Sequence, residues 1–347
     1  MQMIPLGRTG LTVSRFCLGT MTWGGQTPEP EAHAQIDRAL AAGINFLDAA
    51  EMYPTQPVRP ETVGKTEEII GNWIAKSRRR DEIVLATKLS GQGQNAVRCG
   101  APATAATMVE AVEGSLRRLQ TEVIDLYQLH VPNRPAYHFR QNWDFDPSTQ
   151  DRAATEAGML ELLETAQGLI AAGKIRHFAV SNETTWGAAL WLRLAEQHGL
   201  PRIATIQNEY SLLCRLADTD MAELCHNEAL PLLAFSPLAA GLLTGKYQGD
   251  ATPEGSRRGR TPNLGGRITP QVFPAVAAYL EIAARHGLDP AQMALAWVLT
   301  RPWPMIPILG ATTLAQLETA LAAEALVLPA EVLAEIERAH RAHPLPF

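Results

Sequence analysis

Short apolar runs recur along the chain, separated by longer segments in which apolar residues fall three or four positions apart. The short runs carry the β-branched and aromatic residues of buried strands. They are Phe16–Leu18, Phe46–Asp48, Ile83–Thr87, Leu126–Leu129, Phe178–Val180, Ala204–Ile206, Leu232–Phe235 and Met305–Leu309. The spacing between them predicts helices over Glu31–Ala42, Thr66–Lys76, Thr104–Leu119, Met159–Ala172, Trp186–His198 and Asp220–Ala229. Further helices are expected over Pro274–His286, Pro290–Thr300 and Leu314–Ala323, with a terminal amphipathic helix over Pro329–His343. Several of these patterns stop at a glycine (Gly43, Gly173, Gly199), the residue that most easily takes the left-handed turn past a helix end. Ahead of the first run, residues 2–14 have Gly7-Arg8-Thr9-Gly10 at their centre and predict a β-hairpin.

Parallel strands need crossover helices, and eight strand–helix units close into a barrel more readily than they form one open sheet. The competing arrangement is a doubly wound sheet, whose dinucleotide site would show G-x-G-x-x-G after the first strand. Here Gly19 is followed by Thr20-Met21-Thr22-Trp23, and Gly91-Gln92-Gly93 lacks the third glycine. The expectation is therefore a (β/α)8 TIM barrel with an N-terminal β-hairpin and extra C-terminal helices, in one domain spanning residues 1–347. Three connections are long: Pro54–Gly64, Val131–Ala157 and Ser236–Pro270. All three follow strands, which puts them on the face where barrel active sites form.

Composition narrows the partners. A net charge of −6 and scattered arginines give no electrostatic reason to expect nucleic acid or an anionic membrane. No run is long enough to span a bilayer, and the start lacks a leader pattern, so a cytoplasmic protein is expected. Cys17, Cys99, Cys214 and Cys225 have no CxxC pair and no metal-like spacing to histidine, as for unpaired thiols in a reducing compartment without a metal. Arg78-Arg79-Arg80 beside Asp81-Glu82 predicts a solvated turn. With no sustained heptad or large apolar surface stripe, a monomer or small homo-oligomer is expected.

The chemistry sits at strand ends. Asp48 closes the second strand with Tyr53 five residues on, Lys88 follows the third, and His130 follows the fourth. A tyrosine hydroxyl titrates near pH 10 and is by itself a slow acid at neutral pH. An ammonium beside it favours the phenolate, and a carboxylate keeps that ammonium charged and oriented. A histidine can donate to a carbonyl oxygen and stabilise charge developing there. Singly, these residues read as an ion pair, a barrel histidine and a loop tyrosine; at the ends of successive strands they read as an acid–base centre for a carbonyl. The reductant is missing. No nucleophile elbow, metal cluster or phosphate-binding lysine motif is present, so the electrons must come from a bound cofactor. Tyr137, Phe139, Trp143 and Phe145 in the second long loop supply aromatics for a substrate wall or for packing of the loop itself.

These residues stand within longer motifs. Gly43-Ile44-Asn45-Phe46-Leu47-Asp48-Ala49-Ala50-Glu51-Met52-Tyr53, Thr87-Lys88 and Asp125-Leu126-Tyr127-Gln128-Leu129-His130 occur in order. Val180-Ser181-Asn182-Glu183, Ile206-Gln207-Asn208-Glu209-Tyr210-Ser211 and Leu309-Gly310-Ala311-Thr312 follow. On these motifs the chain resembles the aldo-keto reductase family over essentially its whole length, in the Tas-like bacterial subgroup related to the potassium-channel β-subunit proteins.

The resemblance implies reversible, NADPH-dependent reduction of an aldehyde or ketone to the alcohol by hydride transfer. Tyr53 would be the general acid/base, Lys88 and Asp48 would tune it, and His130 would orient the carbonyl. It implies NADP(H) lying extended across the barrel mouth, with Ser181, Asn182 and Gln207 on the carboxamide and Tyr210 stacked on the nicotinamide. Phe235, Ser236, Pro237, Leu238, Gly241, Lys246 and Arg257 would cover the pyrophosphate. Gly310, Thr312 and Gln316 would begin the last barrel helix, where backbone amides and the helix dipole favour an anion. Thr20, Met21 and Gln26 complete the implied cofactor set, and Trp23, Val131 and Trp143 the substrate pocket. Two departures stand out. Thr319 and Ala320 occupy positions where the family often has Glu-Asn, which implies a looser hold on the adenine end. Val131 replaces a tryptophan common in the subgroup, which predicts a pocket open to bulkier carbonyl compounds. The channel relatives imply an alternative, a redox-sensing NADP(H)-binding protein with little turnover. A sugar-phosphate barrel without a nicotinamide is a third reading, disfavoured by Tyr210, Ser181-Asn182 and Gln207.

Overall fold

Alternation along the strands decides what fills the centre of the molecule. In the computed structural model, which describes residues 1–55 and 57–347, eight parallel strands close on themselves. They are β3 (Cys17–Gly19), β4 (Phe46–Asp48), β5 (Val84–Leu89), β6 (Ile124–Leu129), β7 (Ile175–Ser181), β8 (Ile206–Glu209), β9 (Leu232–Phe235) and β10 (Met305–Gly310). β10 pairs back onto β3, Leu309 opposite Leu18, and seals the ring. Successive residues point to opposite faces of a strand. The lower inward layer is apolar, with Cys17, Phe46, Ala86, Leu126, Ala179 and Leu233 packed together. Two residues higher on β4, β5 and β6 stand Asp48, Lys88 and Gln128, all buried.

The expected hairpin, β1 (Met3–Pro5) with β2 (Thr12–Ser14), closes the bottom of the barrel by packing Leu6 and Val13 into that lower layer. Gly7 makes this plug possible. It has φ +56, and a Cβ there would stand 2.9 Å from the Ala229 carbonyl oxygen and from the Pro231 ring.

The outer ring consists of α1 (Glu29–Ala41), α2 (Lys65–Ser77), α3 (Ala105–Leu119), α4 (Arg152–Ala171), α5 (Thr185–His198) and α6 (Asp220–Asn227). It continues with the short α7 (Arg257–Arg260), then α8 (Val272–Arg285), α9 (Pro290–Val298), α10 (Leu314–Ala322) and α11 (Ala330–Ala342). The apolar stripe of α3 is buried at Met108, Val112, Leu116 and Leu119, and Thr104 begins the helix with a capping box to Thr107.

Three expectations need correction. α4 starts at Arg152, capped by Asp151 on the Ala154 amide (3.0 Å), so the second long loop ends well before residue 157. Its first turn is exposed and carries no apolar stripe, which hid it from the periodicity. β8 runs Ile206–Glu209 rather than 204–206, because Gln207, Asn208 and Glu209 are buried polar residues inside the strand. Within the solvated turn at residues 78–82, Arg80 departs from expectation: its guanidinium is mostly covered and donates to the Ile83 and Val123 carbonyls and to Asp125. Within the first long connection, Gln56 lies outside the described residues. Among the described residues, no helix is long and apolar enough to cross a membrane.

Candidate active site

The upper layer of the barrel is a hydrogen-bonded polar floor. Lys88 is fully buried, and its Nζ donates to Asp48 Oδ2 at 2.6 Å and to the Ala49 carbonyl at 2.7 Å. The other Asp48 oxygen, Oδ1, accepts Gln128 Nε2 at 3.0 Å and Gln207 Nε2 at 2.9 Å. A carboxylate removed from water is tolerable only when its lone pairs are satisfied, and here three side-chain donors reach it. Burial opposes the Lys88 ammonium, but attraction to Asp48 and then to the Tyr53 phenol outweighs it, so its pKa is raised and the charge is held.

Tyr53 sits above this floor, with the Lys88 ammonium 5.1 Å from its ring centroid. Desolvation raises the phenol pKa; Lys88 pulls it down without cancelling that rise, so the expected lowering of the tyrosine pKa is not met. The phenol therefore keeps its proton through the neutral range. His130 follows β6 with the inward parity of Leu126 and Gln128, and its ring meets Tyr53 edge-on at 5.9 Å and 75°. Desolvation, and then Lys88, push the His130 pKa well below 6.5, so the imidazole is neutral. Its Nδ1 is buried and has no hydrogen-bond partner among the described residues. A neutral donor, a protonated phenol and a buried cation thus converge at one end of the barrel. Such a set can receive a polarised oxygen and hand it a proton.

The residues expected to hold a cofactor divide into two groups. At the ends of β7 and β8, Ser181 Oγ donates to the Gln207 carbonyl (2.7 Å), and Asn182 Nδ2 donates to the His130 carbonyl (2.9 Å). Asn182 Oδ1 is a buried acceptor left without a partner among the described residues. In the loop after β9, Ser236 (φ 53) and Gly241 (φ 94) coil the backbone tightly, and a Cβ on Gly241 would approach Lys246 Cε to 2.9 Å. Lys246 is exposed and lies over the Tyr247 ring. Arg257 lies in α7 with no carboxylate in ion-pair range among the described residues, and burial together with Arg267 lowers its pKa to about 10. Pro237 and Leu238 pack below these groups, and Phe235 turns a half-exposed ring to Phe139 at 6.4 Å and 26°. An orphaned acceptor and an unpaired guanidinium suit a ligand with an amide at one end and phosphates at the other.

Other assignments fare differently. Tyr210 is fully buried, stacked on Trp297 at 5.5 Å and 7°, with its hydroxyl donating to Asp218. It presents no open ring face to a nicotinamide; Phe235, at the end of β9, is a partly exposed aromatic ring nearer the mouth. Gln207 directs its amide to Asp48, into the floor, and Thr20 is buried with its hydroxyl on the Asp48 carbonyl (2.9 Å). Met21 is bound through its own carbonyl to the Thr55 amide, and Gln26 reaches the Gly255 carbonyl (3.2 Å) across the mouth. At the start of α10, Gln316 accepts from the Thr312 amide (2.9 Å), and Glu31 accepts from the Leu314 amide (2.6 Å). Those two donors are already satisfied, while Gly310 borders open space. Trp23 is no pocket residue: it is fully buried and its indole donates to Gln35 on α1 (3.2 Å). Val131 packs against Gly91 at the rim, and Trp143 is largely exposed on the outer loop.

Sequence reasoning missed Gln128, the amide that steadies Asp48. Its signal was legible, a polar residue at inward parity within an apolar strand. It also missed Glu209, which accepts Arg140 (2.7 Å) from the loop after β6 and Arg267 (2.8 Å) from the loop after β9. That carboxylate ties together two long loops at the barrel mouth.

Comparison with known proteins agrees with this architecture. The model of the aldo/keto reductase family matches residues 15–341. "Protein tas" of Escherichia coli (strain K12) is 45% identical over 350 residues, covering 100% of this chain and 99% of that protein. The uncharacterized oxidoreductase YrpG of Bacillus subtilis (strain 168) is 34% identical over 340 residues, covering 96% and 94%. Norsolorinic acid reductase stcV of Emericella nidulans is 28% identical over 343 residues, covering 94% and 78%.

Proposed function

The chain belongs to the aldo/keto reductase family, with relatives named as an oxidoreductase and a reductase, and on that premise we propose that it is an NADP(H)-dependent carbonyl reductase. In this reading the whole chain works as one domain, is cytoplasmic, and reduces an aldehyde or ketone to its alcohol, reversibly. The observation that carries it is the buried Lys88 held between Asp48 at 2.6 Å and the ring of Tyr53 at 5.1 Å.

When bound, the reduced nicotinamide supplies the hydride. Asn182 would hold its carboxamide end through the unpartnered Oδ1, and Phe235 offers the aromatic face at the mouth. Arg257 and Lys246 would meet its phosphates, since an unpaired guanidinium in a desolvated site is stabilised by an anion. The chain's own residues do the rest. His130, neutral, donates to the substrate oxygen and fixes its approach. Tyr53 passes its proton to that oxygen as negative charge develops on it. The Lys88 ammonium stabilises the phenolate left behind, and Asp48 keeps the ammonium charged. Because desolvation raises the phenol pKa, reduction should hold steady through neutral pH and decline only as alkali removes the phenol proton. Alcohol oxidation, which needs the phenolate, should rise over the same range.

The test is loss of NADPH absorbance with a panel of aldehydes and ketones, in wild type and Tyr53→Phe. The variant keeps the ring and removes the proton. Turnover should drop by about 10²- to 10⁴-fold while NADPH still binds. Tight NADPH binding with no turnover of any carbonyl would favour the redox-sensing alternative, and failure to bind NADPH would overturn the cofactor assignment.

A further inference from the structure

Tyr53 is carried by a loop, yet its ring must stay over a lysine rooted in a strand. Loops keep such alignment only when something ties them down. Two residues before Tyr53, Glu51 is buried (3% exposed) and receives three donors. Its Oε1 accepts the Ser90 amide at 2.5 Å and Arg98 Nη2 at 2.5 Å, and its Oε2 accepts Arg98 Nη1 at 2.8 Å. Ser90 is the second residue after Lys88. The Glu51 amide in turn donates to the Lys88 carbonyl at 3.2 Å. Arg98 comes from the connection after β5, where Arg98, Cys99 and Gly100 have φ of 44, 52 and 76 in succession. Two non-glycine residues in the left-handed region persist only where their surroundings fix them. Here the fixed object is a guanidinium fork aimed inward at a carboxylate.

We propose that the Arg98–Glu51 pair is a positioning device that holds Tyr53 in register with Lys88. Neither side chain belongs to the apolar core, and neither touches the reacting atoms. The pair joins the loop bearing the proton donor to the strand end bearing the cation. The inference rests on the reading of the reaction given above.

The experiment compares wild type, Arg98→Ala, Arg98→Lys and Glu51→Gln by steady-state kinetics and by hydrogen exchange of peptides spanning residues 49–53. Arg98→Ala should lower kcat by about 10- to 100-fold, the cost of a small misplacement of a reacting group. KM for NADPH should stay within about twofold, because uniform binding is untouched. Exchange at 49–53 should quicken while the β-strand peptides stay protected. Arg98→Lys, which keeps a charge but not the fork, should recover part of kcat, and Glu51→Gln should resemble Arg98→Ala. An unchanged kcat in Arg98→Ala overturns the proposal, with or without faster exchange. So does a kcat loss that tracks loss of folded protein by circular dichroism. A wild type that turns over no carbonyl sinks the functional reading, and the positioning role with it; an active wild type beside an unaffected variant sinks the positioning role alone.

Discussion

Asp48 and Asp125 are both strand aspartates, both almost inaccessible, and both ringed by three donors, at opposite ends of the barrel. At the mouth, Asp48 meets a lysine with no exposed surface, two glutamine amides, and a phenol just above. At the base, Asp125 meets Arg80 at 2.8 Å, the Leu85 amide at 2.8 Å and Arg176 at 2.9 Å, with Arg176 half in solvent. The lower carboxylate fastens the starts of β5, β6 and β7. Of its two cations only Arg176 opens widely to water, and neither has a reacting group beside it. The upper one holds a charge that water cannot reach, beside a group able to give up a proton. Residue type is the same; solvent access and the neighbouring phenol separate a staple from a reactive centre.

The contrast is most sharply tested by breaking each centre. Asp48→Ala strands a buried ammonium, so unfolding free energy should fall by about 3–5 kcal/mol, read by denaturant titration, and carbonyl turnover should vanish with it. Asp125→Ala should cost about 1–3 kcal/mol while turnover per folded molecule stays at the wild-type level. A loss of turnover there at constant folded fraction would erase the distinction between the two ends. Arg176→Ala should be the mildest: its guanidinium is 55% exposed, and a pair so screened contributes less than about 1 kcal/mol. A larger shift in the denaturation midpoint would mean that the base is more tightly coupled than its exposure suggests.

The strand–helix rhythm was legible because each strand is a short apolar run and each helix keeps its stripe. Asp48, Lys88 and His130 were legible because they stand within one residue of the ends of successive strands, where parity and position leave few destinations. What escaped was burial and long-range pairing. A tyrosine in a motif does not announce whether its ring faces a pocket or Trp297, and nothing local shows that Trp23, expected in the substrate pocket, turns its indole to Gln35 instead. Arg98 and Glu51 stand 47 residues apart, too far for any local pattern to join them. The start of α4 escaped for the opposite reason: it is solvated on all sides and has no stripe to read.

The turn that holds Arg98 also contains Cys99, whose thiol is exposed while those of Cys17, Cys214 and Cys225 are buried. In the native protein a maleimide dye should therefore couple at one place, adjoining the fork on Glu51. The chain thus carries its own attachment point for a fluorophore, which would follow the loop bearing Tyr53 through binding and turnover without any engineered residue.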